Sequence, residues 1–449
     1  MTPENVDRHT VAIETFGCQM NVYDSAAMNE ILATAGFRTV AAGEPGYILL
    51  INTCSVREHA EHRVLSRVGE LVRRRERQES GPRIIGICGC MAERMQEQLL
   101  RSCPGLDLVV GVDQYEQLPA LLTGLLAESE ARPRVKTGHE PDQHYRVSPE
   151  VSPVNNSHLV AIHKGCNYRC TYCIVPATRG PQREKAPEVI LAEIEQVVAA
   201  GGVEVTLLGQ NVTAYLWREE LDFAGLLEQV AAVPGLRRIR FLTGHPRDMT
   251  DRLIAVMASE AKVCPALHIP MQSGSDRILR RMKRRYSQAD YLAMIDQLRR
   301  RVNDITFSGD FMVGFPGETA ADFNATLEVV REVGYDQIFA FKYSARPSTP
   351  AARLTDDVSL AEKKQRLALL LEEQKRVWQT IATGQTGATW QVAVEGPARR
   401  AAGYGKTRTA NNRKVLVPLT RIRIGAELTV KITGYQNSTF RGEPLSDPR

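Results

Sequence analysis

Leu159-Val160-Ala161-Ile162 runs directly into His163-Lys164-Gly165-Cys166-Asn167-Tyr168-Arg169-Cys170-Thr171-Tyr172-Cys173. A short apolar run of this kind reads as a buried strand. The three thiols behind it follow a C-x3-C-x2-C spacing. Thiolates this close can hold three corners of an iron–sulfur cluster. A carrier cluster normally takes four, and no fourth cysteine stands nearby. One iron is then left for another ligand, which favours chemistry over electron storage. Structural zinc closes its shell with paired C-x2-C units or Cys/His pairs, and His163 is too near in sequence to make a comfortable fourth ligand.

Outward from this stretch, the pattern 158–383 alternates apolar runs with helical periodicity. Strands are expected at 159–163, 204–208, 238–242, 266–270, 306–313 and 337–343. Six such βα units make an open or partial barrel, with ligands at the carboxyl ends of the strands. The cysteine triplet follows the first strand, where such a site would lie. Residues 8–128 show the same rhythm, with strands expected at 10–15, 47–51, 83–87 and 106–110 and helices at about 24–36, 57–78, 91–101 and 113–127. That predicts a parallel sheet covered by helices. After a long helical pattern at 359–382, short strands at 390–395, 415–418 and 428–432 predict a small antiparallel barrel. The fold class is α/β: an N-terminal parallel sheet domain (8–128), a central partial (βα)6 barrel (152–383) and a C-terminal β-barrel (384–449). Polar stretches at 130–157 and 383–388 read as linkers.

A second set of cysteines lies in the first domain. Cys18, Cys54 and Cys90 each follow the end of an expected strand. The carboxyl ends of adjacent parallel strands share one edge of a sheet, so these three thiols can converge despite their wide separation, again with one cluster corner left open. Cys88 competes with Cys90, but it sits in the apolar run and reads as a buried packing residue. Cys103 and Cys264 read the same way.

Bulk properties bound the remainder. The 449 residues are too many for one core. No apolar run is long enough to span a bilayer, and Met1-Thr-Pro-Glu-Asn lacks a secretory pattern. A reducing cytoplasmic setting is therefore expected, with cysteines as metal ligands or core residues rather than disulfides. The net charge of +5 is uneven: 384–449 holds 11 Lys/Arg against 4 Asp/Glu, leaving 46 against 48 elsewhere. Lys406, Arg408, Arg413, Lys414, Arg421 and Arg423, interleaved with strand formers, suit a nucleic-acid surface.

The flanking residues carry a resemblance. Gly17-Cys18-Gln19-Met20-Asn21, Asn52-Thr53-Cys54-Ser55-Val56-Arg57-Glu58 and Gly89-Cys90-Met91-Ala92 resemble the three cysteine motifs of the radical S-adenosylmethionine (SAM) methylthiotransferases. So do Ile174-Val175-Pro176-Ala177-Thr178-Arg179-Gly180, Leu207-Leu208-Gly209-Gln210-Asn211-Val212, Pro270-Met271-Gln272-Ser273-Gly274-Ser275-Asp276 and 310–318. The tail resembles a TRAM domain, a small RNA-binding barrel, and the likeness spans about 8–446 in order. Gly17–Ser25 and Leu-Gly-Gln-Asn-Val are similar to the MiaB branch.

The resemblance implies two 4Fe-4S clusters, one on Cys166, Cys170 and Cys173 with SAM on its open iron, and an auxiliary one on Cys18, Cys54 and Cys90. Cys88 departs from the family pattern and leaves the third auxiliary ligand between Cys88 and Cys90. The implied reaction places a methylthio group on C2 of N6-isopentenyladenosine beside the anticodon of transfer RNA, with electrons from a reductant such as flavodoxin or ferredoxin. Gln210, Asn211, Gln272, Ser275 and Asp310 are the expected SAM contacts; hydrogen-bonded turns are the plainer alternative for them. Gly314 and Gly317 fit either a SAM wrap or a tight turn. Arg346 and Lys342 suit a phosphate or carboxylate, or plain solvent. The run Arg280-Arg281-Met282-Lys283-Arg284-Arg285 suits RNA or a solvated helix end. His59, His62, His245 and His268 lack ligand spacing. Sister branches modify threonylcarbamoyladenosine or a ribosomal-protein aspartate, and a metal-containing RNA-binding protein without catalysis is the alternative of a different class.

Overall fold

Short runs rich in Ile, Val and Leu form the core of the first sheet. Thr10–Phe16 (β1), Arg38–Val40 (β2), Ile48–Thr53 (β3), Ile84–Gly89 (β4), Leu108–Val110 (β5) and Arg134–Lys136 (β6) pair in the order β2-β1-β3-β4-β5-β6. Every pairing is parallel. Strands β3 and β4 are buried along their whole length, as expected where both faces are covered. The covering helices are Gln19–Thr34 (α1), Glu58–Glu76 (α2), Cys90–Met95 (α3), Glu97–Ser102 (α4) and Leu118–Ala127 (α5). This computed structural model describes residues 7–41, 43–55, 58–77, 79, 81–127, 133–140, 143–145, 147, 157–398, 401–418 and 423–445.

The sequence reading missed the edge strands β2 and β6, which are three residues each and only partly buried. Their apolar signal is too brief to stand out. β6 falls inside the stretch read as a linker, the remainder of which lies mostly outside the described residues. The expected helix at 91–101 is two helices, broken at Gln96, whose φ is +49°.

By its contacts the chain forms two units. One holds 1–148 with 163–169 and 173–185; the other holds 149–162, 170–172 and 186–449. In the first, the segment after Lys164 is a loop closed by a strand pair, His163–Lys164 against Arg183–Glu184, and carrying a short helix, Val175–Arg179 (α6), that packs on α3.

The second unit contains Ser157–Ala161 (β7) and strands Glu204–Leu208, Arg238–Phe241, Ala266–His268, Thr306–Val313 and Gln337–Lys342. They form two three-stranded parallel sheets, joined by a parallel bridge between Ile239 and Val263. Six parallel strands in chain order make the open barrel. Alternate residues such as Val205, Leu207, Ile239 and Phe241 turn outward into one large core beneath the helices.

The tail is a closed five-stranded barrel: Thr389–Pro397, Tyr404–Arg408, Lys414–Pro418, Glu427–Gln436 and Thr439–Pro444. No loose linker precedes it. The helix Leu360–Gln385 takes up the first half of the stretch read as one, a short turn takes up the rest, and Trp378 and Ala382 near the helix end are buried in the small barrel's own core. Trp378 lies edge-on to Tyr435 at 5.2 Å, and Gly387 N–H donates to Ile432 O. The hairpin loop after Arg408 plugs the amino-terminal end of the large barrel. Arg240 donates to Ala410 O at 2.7 Å and Thr409 O at 3.0 Å, and Thr306 Oγ1 donates to Asn411 O at 2.6 Å. Glu204 beneath it pairs with Arg238, Arg240 and Arg408. Burial opposes its charge, but Arg240 and then Arg408 outweigh that and hold the carboxyl down to about 2. Arg408 and Arg413 therefore face inward, Arg413 to Asp336 at 2.8 Å. Lys406 pairs with Glu395. Lys414, Arg423 and Arg441 are exposed, and Arg421 lies outside the described residues.

Candidate metal centres and cofactor site

Cys18 follows β1, Cys54 follows β3, and Cys90 opens α3 directly after β4. β1 and β3 are neighbours in the sheet, as are β3 and β4, so the three thiols share one sheet edge. Two glycines allow the approach. A Cβ on Gly17 would stand 2.9 Å from the Cys54 Cβ, and one on Gly89 would stand 2.7 Å from Thr53 O. Gly89 also takes φ +91°, open to glycine at no steric cost. Paired amides tie the loops: Asn21 Nδ2 donates to Asn52 Oδ1 at 3.2 Å, and Asn52 Nδ2 returns to Asn21 O at 2.8 Å. Asn21 Oδ1 also accepts from the Cys18 N–H at 3.2 Å and Sγ–H at 3.3 Å.

The electrostatics separate the cysteines. Cys18, exposed at the sheet edge, is lowered to about 6, first by a hydrogen bond with Cys54 and also, against its burial cost, by the charge of Arg179. Burial raises the Cys90 thiol, and Arg179 offsets only part of that rise. Cys88 is different: burial alone pushes it up to about 12, and it lies within β4 opposite Asn52. A thiol must ionise to ligate iron; Cys18 is the thiol most disposed to it, Cys54 and Cys90 stand beside it at the same sheet edge, and Cys88, raised by burial with no cation to offset it, fits the core. Cys103 and Cys264 are buried and raised by desolvation. Among the described residues, no three His, Cys, Asp or Glu side chains close round a point that would hold one ion.

Arg179 is 3% exposed and pairs through Nη2 with Asp24 Oδ2 at 2.6 Å. Asp24 lies on α1, six residues past Cys18. Arg179 lies in the Ile174–Gly180 motif, which by itself gives no sign of this pairing. A partnership across 155 residues has no local signal.

The C-x3-C-x2-C loop is pinned at both feet. Gly165, at φ +76°, brings its backbone against Pro181 and Gly180, and Cys166 N–H donates to Gly180 O at 3.2 Å. Buried Asp113 accepts from Lys164 at 3.4 Å and Arg183 at 2.8 Å, one on each side of the loop. Burial lowers Lys164 to about 8. Asp113 was missed because nothing in the run Gly-Val-Asp-Gln-Tyr signals it. In the other unit, Cys170 is buried, and Tyr172 packs with Ile278, Met282, Phe315 and Tyr343. His163, considered as a ligand, is a buried strand residue opposite Glu184.

Gln210, Asn211, Gln272 and Ser275 follow strands of the large barrel and Asp310 lies within Thr306–Val313, but they are not equally available. Asn211 donates to Asp248 at 2.6 Å and accepts from Thr213 at 2.8 Å. Ser275 caps the helix Asp276–Arg281 and donates to Asp322 at 2.5 Å. Gln272 holds φ +73°, and its backbone bridges Phe311. Gln210 Oε1 is buried without a partner, so it keeps an acceptor for a ligand. Asp310, with its side chain 28% exposed, meets His268 Nε2 at 3.4 Å. Gly314 and Gly317 both take positive φ, as a tight turn requires.

Two family models match this chain. The one described as the radical SAM superfamily covers residues 160–330, and the one described as Uncharacterized protein family UPF0004 covers residues 10–111. A tRNA-2-methylthio-N(6)-dimethylallyladenosine synthase of Sorangium cellulosum is 44% identical over 413 residues, 86% of this chain and 81% of the relative. The protein of that name from Moorella thermoacetica is 38% identical, covering 97% and 98%. Among solved structures, the radical SAM methyltransferase TsrM from Kitasatospora setae, with cobalamin and a [4Fe-4S] cluster bound, aligns with TM-score 0.53 at 12% identity, over 90% of this chain and 81% of that one. That likeness is one of fold.

Proposed function

The chain belongs to the tRNA-2-methylthio-N(6)-dimethylallyladenosine synthase family, and on that premise we propose that it places a methylthio group on C2 of N6-isopentenyladenosine beside the anticodon of transfer RNA. The convergence of Cys18, Cys54 and Cys90 on one sheet edge carries this reading, because one three-thiol centre suffices for radical generation and sulfur insertion asks for another. Cys166, Cys170 and Cys173 would hold the 4Fe-4S cluster that takes SAM, and Cys18, Cys54 and Cys90 the auxiliary 4Fe-4S cluster. Bound there, the clusters and SAM supply one-electron and radical chemistry that no acid or base can bring to an unactivated aromatic C–H bond.

The chain's own residues place and protect. Asp113 fixes both feet of the C-x3-C-x2-C loop. Asn21 and Asn52 hold the auxiliary thiols in register, and Arg179 favours the ionised form of Cys18 and Cys90. The free acceptor of Gln210 suits the polar groups of SAM, and Asp310 suits its ribose; Asn211, Gln272 and Ser275 serve that site by shaping its walls. Exposed Lys414, Arg423 and Arg441 suit the RNA backbone. The proposed division is a methylthiotransferase domain at 8–128, a radical SAM core at 152–383 and a TRAM domain at 384–449. The electron donor is proposed to be of the flavodoxin or ferredoxin class. Donor and tRNA are both cytoplasmic molecules, and the proposed setting is the cytoplasm. No helix among the described residues is long and apolar enough to cross a membrane.

The test supplies anaerobically reconstituted protein with reductant, SAM and isopentenylated anticodon-loop RNA. Nucleoside mass spectrometry should show a methylthio gain. No gain on this RNA, with gain on threonylcarbamoyladenosine RNA, would overturn the substrate.

A further inference from the structure

Arg284 belongs to a run, Arg280 to Arg285, whose other basic members are all exposed. Arg284 alone is buried, at 5%. Its neighbours Lys283 and Arg285 take φ of +57° and +58°, a left-handed conformation that bulky side chains rarely adopt. Two such residues in a row of three turn the side chain between them inward. There each nitrogen of its guanidinium has a partner. Nη2 donates to Pro270 O at 2.8 Å, Nε donates to Tyr286 Oη at 2.8 Å, and Nη1 points at Cys170 Sγ at 3.5 Å. Tyr286 is itself anchored to Met271 O at 2.8 Å and lies against the guanidinium at 5.1 Å. The same turn grips the residue after the thiol: Thr171 N–H donates to Met282 O at 3.1 Å, and Thr171 Oγ1 to Arg281 O at 3.0 Å.

We propose that Arg284 is a positioning residue for the SAM-binding cluster: it presents a buried N–H and a full positive charge to the sulfur of Cys170. A cation and a hydrogen bond at a ligating sulfur stabilise the more negative, reduced state and raise the reduction potential. The effect is large where water is excluded. The couple concerned takes one electron from the flavodoxin- or ferredoxin-class donor and yields it to SAM; Arg284 itself gains and loses nothing. A merely structural arginine would hold Pro270 and leave the potential alone.

This inference rests on reading Cys166, Cys170 and Cys173 as cluster ligands. Failure of that reading would show as missing iron in the unaltered protein, whereas failure of the inference would show as a loaded cluster with an unshifted potential. The experiment is an EPR-monitored redox titration of reconstituted full-length protein beside Arg284→Gln and Arg284→Lys. Gln keeps donors for Pro270 O and removes the charge. It should lower the reduced-to-oxidised ratio at a fixed potential about tenfold, a shift of about 59 mV for one electron, and Lys should restore at least half of it. An iron-replete Arg284→Gln protein with an unchanged midpoint overturns the inference. A measurement on the unaltered protein stands beside it in case Gln fails to load iron. With 15N-labelled arginine, pulsed EPR of the reduced cluster should show nitrogen coupling that is lost in Arg284→Lys. No such coupling overturns the inference as well.

Discussion

Replacing Cys54 with Ala should change the chemistry of a residue 36 positions away, and the size of the effect follows from the site. The Cys18 thiol is lowered from 9.0 to about 6, with the hydrogen bond from Cys54 as the largest cause. At pH 7 such a group is about nine-tenths thiolate, against about one hundredth for an unperturbed thiol, a gain of about ninetyfold. A more acidic thiolate is a weaker nucleophile, and a Brønsted slope of 0.4–0.5 over three pKa steps takes back about 15- to 30-fold. Cys18 in iron-free protein should therefore be alkylated by iodoacetamide about three- to sixfold faster than a free thiol at pH 7. Its rate should already level off near pH 7, because the lowered pKa completes ionisation early. In Cys54→Ala the profile should slide to higher pH and the advantage at pH 7 should shrink. Cys88, pushed up to about 12, is the internal standard and should stay unlabelled in the folded protein. Peptide mass spectrometry reads both sites at once. An identical Cys18 pH profile in the two proteins would refute the reasoning, because Cys18 and Cys54 would then not be neighbours.

Cys170→Ala should abolish reductive SAM cleavage, whereas Cys54→Ala should spare cleavage and block methylthio insertion; methylthio product from Cys54→Ala would count against the auxiliary centre. Glu204→Gln leaves Arg238, Arg240 and Arg408 around a neutral group. With the folded carboxyl at about 2 against 4.5, the loss should be about 3 kcal/mol. The folded value lies below the unfolded one, so this stability is present above about pH 4.5 and fades as the pH falls toward 2. The gap in denaturant midpoint between the two proteins should narrow from pH 7 to pH 4, and a pH-independent gap would be the wrong result. Lys414→Gln with Arg441→Gln should flatten the salt dependence of RNA binding by about 0.7 for each phosphate no longer neutralised; an unchanged slope would remove this face from the RNA surface.

Features written into short stretches were legible. The thiol spacing, the apolar strands at 204–208 and 306–313 and the strand-end positions of Cys18, Cys54 and Cys90 needed no knowledge of the rest of the chain. What escaped depends on distant partners. Gly384 and Gly387 resemble a linker until Trp378 and Ala382 are seen buried in the small barrel's core, which outweighs local helix propensity. The strand Tyr404–Arg408 carries Gly, Lys and Arg and lacks an apolar run, yet barrel closure pairs it on both sides. Arg408 and Arg413 read as RNA-facing because sequence shows charge but not direction; their acidic partners Glu204 and Asp336 lie 204 and 77 residues away. Arg179 with Asp24, Asp113 with Arg183 and Arg284 with Cys170 were hidden for the same reason.

Two centres of three thiols each are the core of the proposal, and iron counting tests it most directly. Anaerobically reconstituted protein should hold about eight irons with matching acid-labile sulfide, two clusters of four. The triple replacement of Cys18, Cys54 and Cys90 by Ala should hold about four, and so should that of Cys166, Cys170 and Cys173. Four irons in the unaltered protein, all lost with one triple replacement and none with the other, would contradict a second centre.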